Sequence, residues 1–362
     1  MPNEVDIKEN EIYAISPELL HLLLKDHTQS TADKQVNIFW ATDNYASLGQ
    51  GFRYDDPIRC EAITGVNGEV IMPRARKCRE QQQQRSREMA EVFTPSWICN
   101  KQNNLIDQAW FGRENAFNTE TDSPDGTHSW IANTDKISFP EGKTWMDYVK
   151  EIRMEITCGE APYLVSRYDT VTGLPIDIER RIGLLDRKLR VVGENTESSK
   201  DWLNAAKVAY QSIYGYEWQG DNLVLAREAL LYTFIDYYEA KFGKKPLLKS
   251  LMSIAYIISW NIWQMDGLKG VIPGSCSMQP QEEKRDLQLS LFFDDMPEPK
   301  AGPTLFECPG CLNKDIKRHN GTYCIIRDWS VRKKPQGWTP SAASANHDRN
   351  PWQIIRFIDL IK

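Results

Sequence analysis

The stretch IYGYEWQGDNLVLAREALL, residues 213–231, decides the fold. Its first four residues are apolar or aromatic around one glycine and read as a strand that ends on the fifth, Glu217. Four residues later Asp221 stands where an N-cap is expected, and the amphipathic run that follows continues until Gly243 stops it. The pattern repeats on both sides: SKDWLNAAKVAYQS, residues 199–212, reads as a helix before it. After it, LLKSLMSIAYIIS reads as another helix and WNIWQM as another extended piece. Strand and helix taking turns predict an α/β chain with a parallel sheet and helices on its faces.

Open α/β sheets bind ligands beyond the carboxyl ends of their strands, where glycine-bearing loops and acidic side chains gather. Three segments here end a predicted strand that way. ITCGEAPYLVSRYD, residues 156–169, follows Glu155 and carries Gly159; IYGYEW ends on Glu217; NIWQMDGL, residues 261–268, ends on Asp266. Each carboxylate alone could be a helix cap or a solvated loop residue. The three in succession point to a nucleoside-sized site.

Further out, Ser16 and Pro17 ahead of ELLHLLLKD have the N-cap and first-turn proline of a helix. VNIFWATDNY and EAITGVNGEVIMPR read as strands, the second with a hairpin turn at Asn67-Gly68. Residues 1–84 are expected to form a small mixed α+β module, residues 85–275 the sheet-bearing domain, and residues 276–362 a loop-rich C-terminal region. RARKCREQQQQRSR, residues 74–87, is basic and rich in helix formers, and is either a solvated face or a surface that tracks phosphates.

A formal charge of −6 gives no global reason to bind nucleic acid, so any such face must be local. No apolar run reaches the roughly 18–20 residues that cross a bilayer, and the acidic start MPNEVDIKENEIY lacks a secretory layout, so a cytoplasmic location is expected. In that compartment the eight cysteines read as metal ligands or packing rather than disulfides.

The middle of the chain resembles the cofactor-binding part of the gamma-class DNA adenine-N6 methyltransferases of restriction–modification systems, which use S-adenosylmethionine. The likeness covers roughly residues 85–270 and rests mainly on EVFTPSWICNKQNNLID, with Phe93, Thr94 and Pro95, and on the YGYE…LAREALL segment. It implies a partial Rossmann-like methyltransferase sheet. It also implies a cofactor site of Phe93, Thr94, Pro95, Glu155, Thr157, Cys158, Gly159, Glu217, Trp218 and Asp266, with Glu217 on the ribose and Asp266 beside the adenine. Family loops usually have a second glycine where Ala161 stands here, followed by Pro162. Alanine fits if its backbone angle is not left-handed, while proline stiffens the turn and removes a donor.

Methylating an exocyclic adenine amine needs groups that hold the amine and a ring that stacks the flipped base. The family supplies them in an Asn/Asp-Pro-Pro-aromatic tetrapeptide, and this chain has none, so its catalytic residues are unassigned. Few strands are expected after Asp266, which would leave the strand before the glycine loop as an open edge. A modification (M) subunit acting on DNA, with a second chain carrying the catalytic motif, is therefore expected. The alternative is a catalytically inert methyltransferase-like module that binds DNA or protein.

CPGCLNKDIKRHNGTYC, residues 308–324, has Cys-x2-Cys-x7-His-x4-Cys spacing. Cys308, Cys311, His319 and Cys324 are the expected ligands of a closed, structural zinc site.

Overall fold

The computed structural model describes residues 9–89, 91–92, 94–122, 126–280, 305–332 and 352–361. They form a mixed α/β structure with small sheets, and no helix among them is long and apolar enough to cross a membrane. In the N-terminal part, α1 spans Glu9–Ile15, α2 Pro17–Leu24, α3 Cys60–Ile63, α4 Arg79–Met89 and α5 Ser96–Phe111. A hairpin follows, β1 (Asn118–Asp122) with β2 (His128–Ala132), and then α6, Trp145–Lys150.

The central unit is a parallel sheet of three strands in the order β3-β4-β5: β3 is Arg153–Glu155, β4 Ile213–Glu217 and β5 Ile262–Gln264. Helices α7 (Leu184–Asn195) and α8 (Ser199–Gln211) connect β3 to β4, and α9 (Gly220–Phe242) and α10 (Leu248–Asn261) connect β4 to β5. Every residue of β4 is buried, as a strand covered on both faces requires. Gly215 within it permits close approach, since a Cβ there would lie 3.3 Å from both the Cys158 sulfur and Ile262 Cδ1.

The two flanks of this sheet differ. On β5 the outward carbonyl of Ile262 accepts from Arg227 Nε at 2.8 Å, and that of Gln264 accepts from the Cys324 thiol at 3.4 Å. The Gln264 side chain also brackets Phe39, accepting from its N–H and donating to its carbonyl. On the other flank β3 has no second neighbour among the described residues. Arg153 points its N–H at the β4 side, donating to the Ser212 carbonyl, so within β3 the backbone of Met154 faces away from it. Ile152, Met154 and Ile156 are 64%, 40% and 62% exposed.

Beyond the sheet come β6 (Gln279–Pro280) paired with β7 (Leu305–Phe306), α11 (Pro309–Asn313), and β8 (Ile325–Arg332) paired with β9 (Trp352–Arg356). The C-terminal part thus holds two antiparallel pairs where loops were expected. The expected hairpin at residues 61–74 does not form either. Cys60–Ile63 is helical, Gly65–Asn67 is a 3-10 turn, and Gly68 has φ −66°, outside the left-handed region that a two-residue hairpin turn needs. Residues 36–45 contribute only isolated bridges rather than a strand.

Candidate functional site

A cavity of about 670 Å³ opens at the carboxyl ends of β3 and β4. That is a volume suited to a nucleoside-sized ligand. Glu155 and Glu217, the last residues of the two strands, line it together with Thr94, Thr157, Cys158, Gly159 and Trp218. Seven of the ten expected cofactor residues therefore share one wall.

The remaining three do not. Phe93 lies outside the described residues. Pro95 is the N-cap of α5, with the helix starting at Ser96, and is absent from the cavity lining. Asp266 is also absent from the cavity lining, and its carboxylate is held within its own turn. It accepts from Leu268 N–H at 3.0 Å and pairs with Lys269 at 3.4 Å, while its backbone bridges to Val271.

The loop after β3 is shaped by the two strand-end carboxylates. Glu217 accepts from the N–H of Gly159 at 2.8 Å and of Gln219 at 3.2 Å. Glu155 accepts from the N–H groups of Tyr163 and Leu164 at 3.4 and 3.2 Å. Burial pushes the Glu155 carboxyl well above the usual carboxylate range, against those two backbone donors, and neighbouring Glu217 adds to the rise. Burial also raises Glu217, opposed by the Gly159 and Gln219 donors.

Within this loop Thr157, Gly159 and Ala161 have φ of 48°, 54° and 62°. The condition on which alanine was expected to fit is not met: Ala161 is left-handed and fully buried, and its N–H donates to the Cys158 carbonyl. Left-handed backbone costs a residue with a Cβ roughly 1–2 kcal/mol, so the loop is held by its surroundings rather than by local preference.

Six further lining residues have no local mark in the sequence. Glu88 and Glu91 line the cavity, as do Tyr54, Tyr163, Gln219 and Asn222. Glu91 accepts from Arg85 Nε at 2.5 Å and from Asn222 Nδ2 at 3.2 Å. Arg85 also reaches Asp221 at 2.8 Å and Gln219 at 2.5 Å, and Asp221 accepts from the Tyr45 hydroxyl at 2.8 Å. Asp221 is thus inside α9 as an ion-pair partner, not its cap; Gln219 holds the N-cap position. The basic segment consequently splits. Lys77 and Arg85 are buried toward Asp221, and Arg76, Arg79 and Arg87 are exposed. Nothing local in the sequence marks Arg85 as an inward residue, since its partners lie in other elements.

The cavity lining holds four carboxyl groups, Glu88, Glu91, Glu155 and Glu217, and no basic side chain. Glu91 is paired with Arg85, and burial favours the neutral forms of Glu155 and Glu217, so the lining gains negative charge, and attraction for a cation, as those two ionise.

A second grouping lies in the C-terminal part. Cys276, Cys308, Cys311 and His319 bring their ligand atoms within 4.8 Å of one another, a set that can hold a metal ion and is compatible with zinc. Cys324, the expected fourth ligand, is not in it: its thiol is buried against the Gln264 carbonyl, on the flank of β5. Cys276 takes its place from 32 residues upstream of Cys308, beyond the reach of any short spacing rule.

Comparison of the chain with family models, curated proteins and solved structures gives no match.

Proposed function

We propose that this chain is the S-adenosylmethionine-binding modification subunit of a DNA adenine-N6 methyltransferase in a restriction–modification system, with a second polypeptide completing the sheet and supplying the catalytic tetrapeptide. The observation that carries the reading is the acidic cavity at the carboxyl ends of β3 and β4, free of basic side chains. S-adenosylmethionine has a sulfonium and an ammonium against one carboxylate, a net cation, which Glu155 and Glu217 attract once they ionise. Nucleoside polyphosphates, the other common guests of strand-end sites, would meet no basic side chain among the described lining residues.

Glu217 is placed at the end of the central strand, where a carboxylate reaches ribose hydroxyls in strand-end nucleoside sites. The expectation of a partner rests on two features: the chain lacks an Asn/Asp-Pro-Pro-aromatic sequence, and β3, with exposed Ile152, Met154 and Ile156 in and beside it, has one neighbour among the described residues. Unpaired strand edges are templates for another chain's strand.

The test is calorimetric titration of the purified chain with S-adenosylmethionine, alongside a methylation assay on DNA. Saturable binding without methyl transfer is expected. No heat at millimolar cofactor would end the proposal in favour of an inert binding module, and robust methylation by the isolated chain would remove the partner from it.

A further inference from the structure

We propose that the chain holds one structural zinc ion on Cys276 Sγ, Cys308 Sγ, Cys311 Sγ and His319 Nδ1, and that this ion clamps the loop after β5 to the C-terminal knuckle. The distances carry the assignment. The three sulfurs lie 3.6, 3.5 and 3.7 Å from His319 Nδ1, in the order Cys276, Cys308, Cys311. Tetrahedral zinc with bonds of about 2.3 Å to sulfur and about 2.05 Å to nitrogen sets that separation at about 3.6 Å. Three thiols converging on one imidazole nitrogen at a common distance is the arrangement a central ion imposes; hydrogen bonding to that one nitrogen would favour a single thiol.

The surroundings fit a closed site. A Cβ on Gly310 would come within 2.6 Å of the His319 ring, so only glycine between the two knuckle cysteines lets the imidazole in. The N–H of Asn320 donates to the Cys308 sulfur at 3.2 Å, a second-shell bond that stabilises a thiolate ligand. Asn320 also binds Ser277 through both side-chain atoms, next to Cys276. Four protein ligands leave no open coordination position, so the ion organises structure rather than catalyses.

The clamp has a definite target. The loop that delivers Cys276 begins at Asp266 and is stitched to the knuckle by Ile272 N–H to the Thr322 carbonyl and Cys324 N–H to the Gly270 carbonyl. Zinc would therefore fix the C-terminal part against β5. This assignment is independent of the cofactor reading.

The test is elemental analysis and zinc-edge X-ray absorption on the full chain, purified without metal-affinity media and reconstituted with zinc chloride. One zinc per chain in a shell of three sulfurs and one nitrogen is expected. Cys276→Ser should weaken zinc binding by more than about 100-fold in competition with a chromophoric chelator, beyond the range of second-shell losses. Cys324→Ser should retain the wild-type affinity within about threefold. A chain that takes up no zinc, a four-sulfur shell, or loss of zinc on replacing Cys324 but not Cys276 would overturn the assignment. The wild-type absorption measurement decides the shell even where a variant fails to fold.

Discussion

The backbone N–H of Gly159 donates to the Glu217 carboxylate at 2.8 Å, so the loop after β3 is tied to the end of the neighbouring strand. Glu217 also holds Gln219 N–H, at the start of α9. Glu217→Ala leaves both donors without their partner. It should lower stability by about 1–3 kcal/mol in urea unfolding without ligand, and should weaken S-adenosylmethionine binding by about 2–4 kcal/mol in calorimetry. Unchanged stability together with unchanged binding would show that the tie has no energetic role.

Ligand binding should depend on pH in a direction set by the buried carboxyls. Burial raises Glu155 and Glu217, so the folded chain holds protons that the unfolded chain releases above about 4.5. Their contribution to stability is present below that value and fades as pH rises through their raised folded values. A cationic ligand favours the ionised forms. Its affinity should therefore increase with pH and its binding should release protons, seen as calorimetric heats that differ between buffers of unlike ionisation enthalpy. Equal heats in the two buffers would contradict this.

Thr157 is exposed, β-branched and left-handed at φ 48°. Thr157→Gly removes a backbone cost of roughly 1–2 kcal/mol and adds unfolded-state freedom of about 0.4–1 kcal/mol. A net gain of about 0.5–1 kcal/mol is expected in chemical denaturation. A loss would show that the Thr157 hydroxyl bond to the Ile156 carbonyl, at 2.7 Å, outweighs the strain.

Arg85 neutralises two buried carboxylates, Asp221 and Glu91. Arg85→Ala removes the nearest cation from both, leaving Lys77 at 3.9 Å from Asp221 and Arg74 at 3.8 Å from Glu91, and should cost about 3 kcal/mol. Burial works against ionising Asp221, but Arg85 and Lys77 beside it hold its carboxyl down at about 2. Its contribution is present above the unfolded value of 3.8 and is lost as pH falls through about 2, so acid unfolding of the wild type should steepen there. An exposed phosphate-tracking Arg85 would instead leave stability untouched.

Elements whose signals are local were legible. The periodic runs of α8, α9 and α10 and the Gly243 stop are where the pattern put them, and so is the order of β4 and β5, because each depends on neighbouring residues. Distant partners were not legible. Asp221 looks like a cap until Arg85 arrives from α4, and Cys324 looks like a ligand until Cys276 arrives from the loop after β5. Asn67-Gly68 shows local preference overruled: Asn10 accepts from Gly65 N–H at 2.6 Å, and a Cβ on Gly68 would sit 2.1 Å from its side chain, so α1 packing sets that turn.

The asymmetry of the three-stranded sheet bears on assembly. Arg227 and Cys324 occupy the outer carbonyls of β5, so among the described residues the β3 side is the one left open. Head-to-tail stacking through this sheet would need both of its edges, and among the described residues only the β3 edge is open. If the proposed partner strand adds to β3, this sheet therefore extends in one direction only.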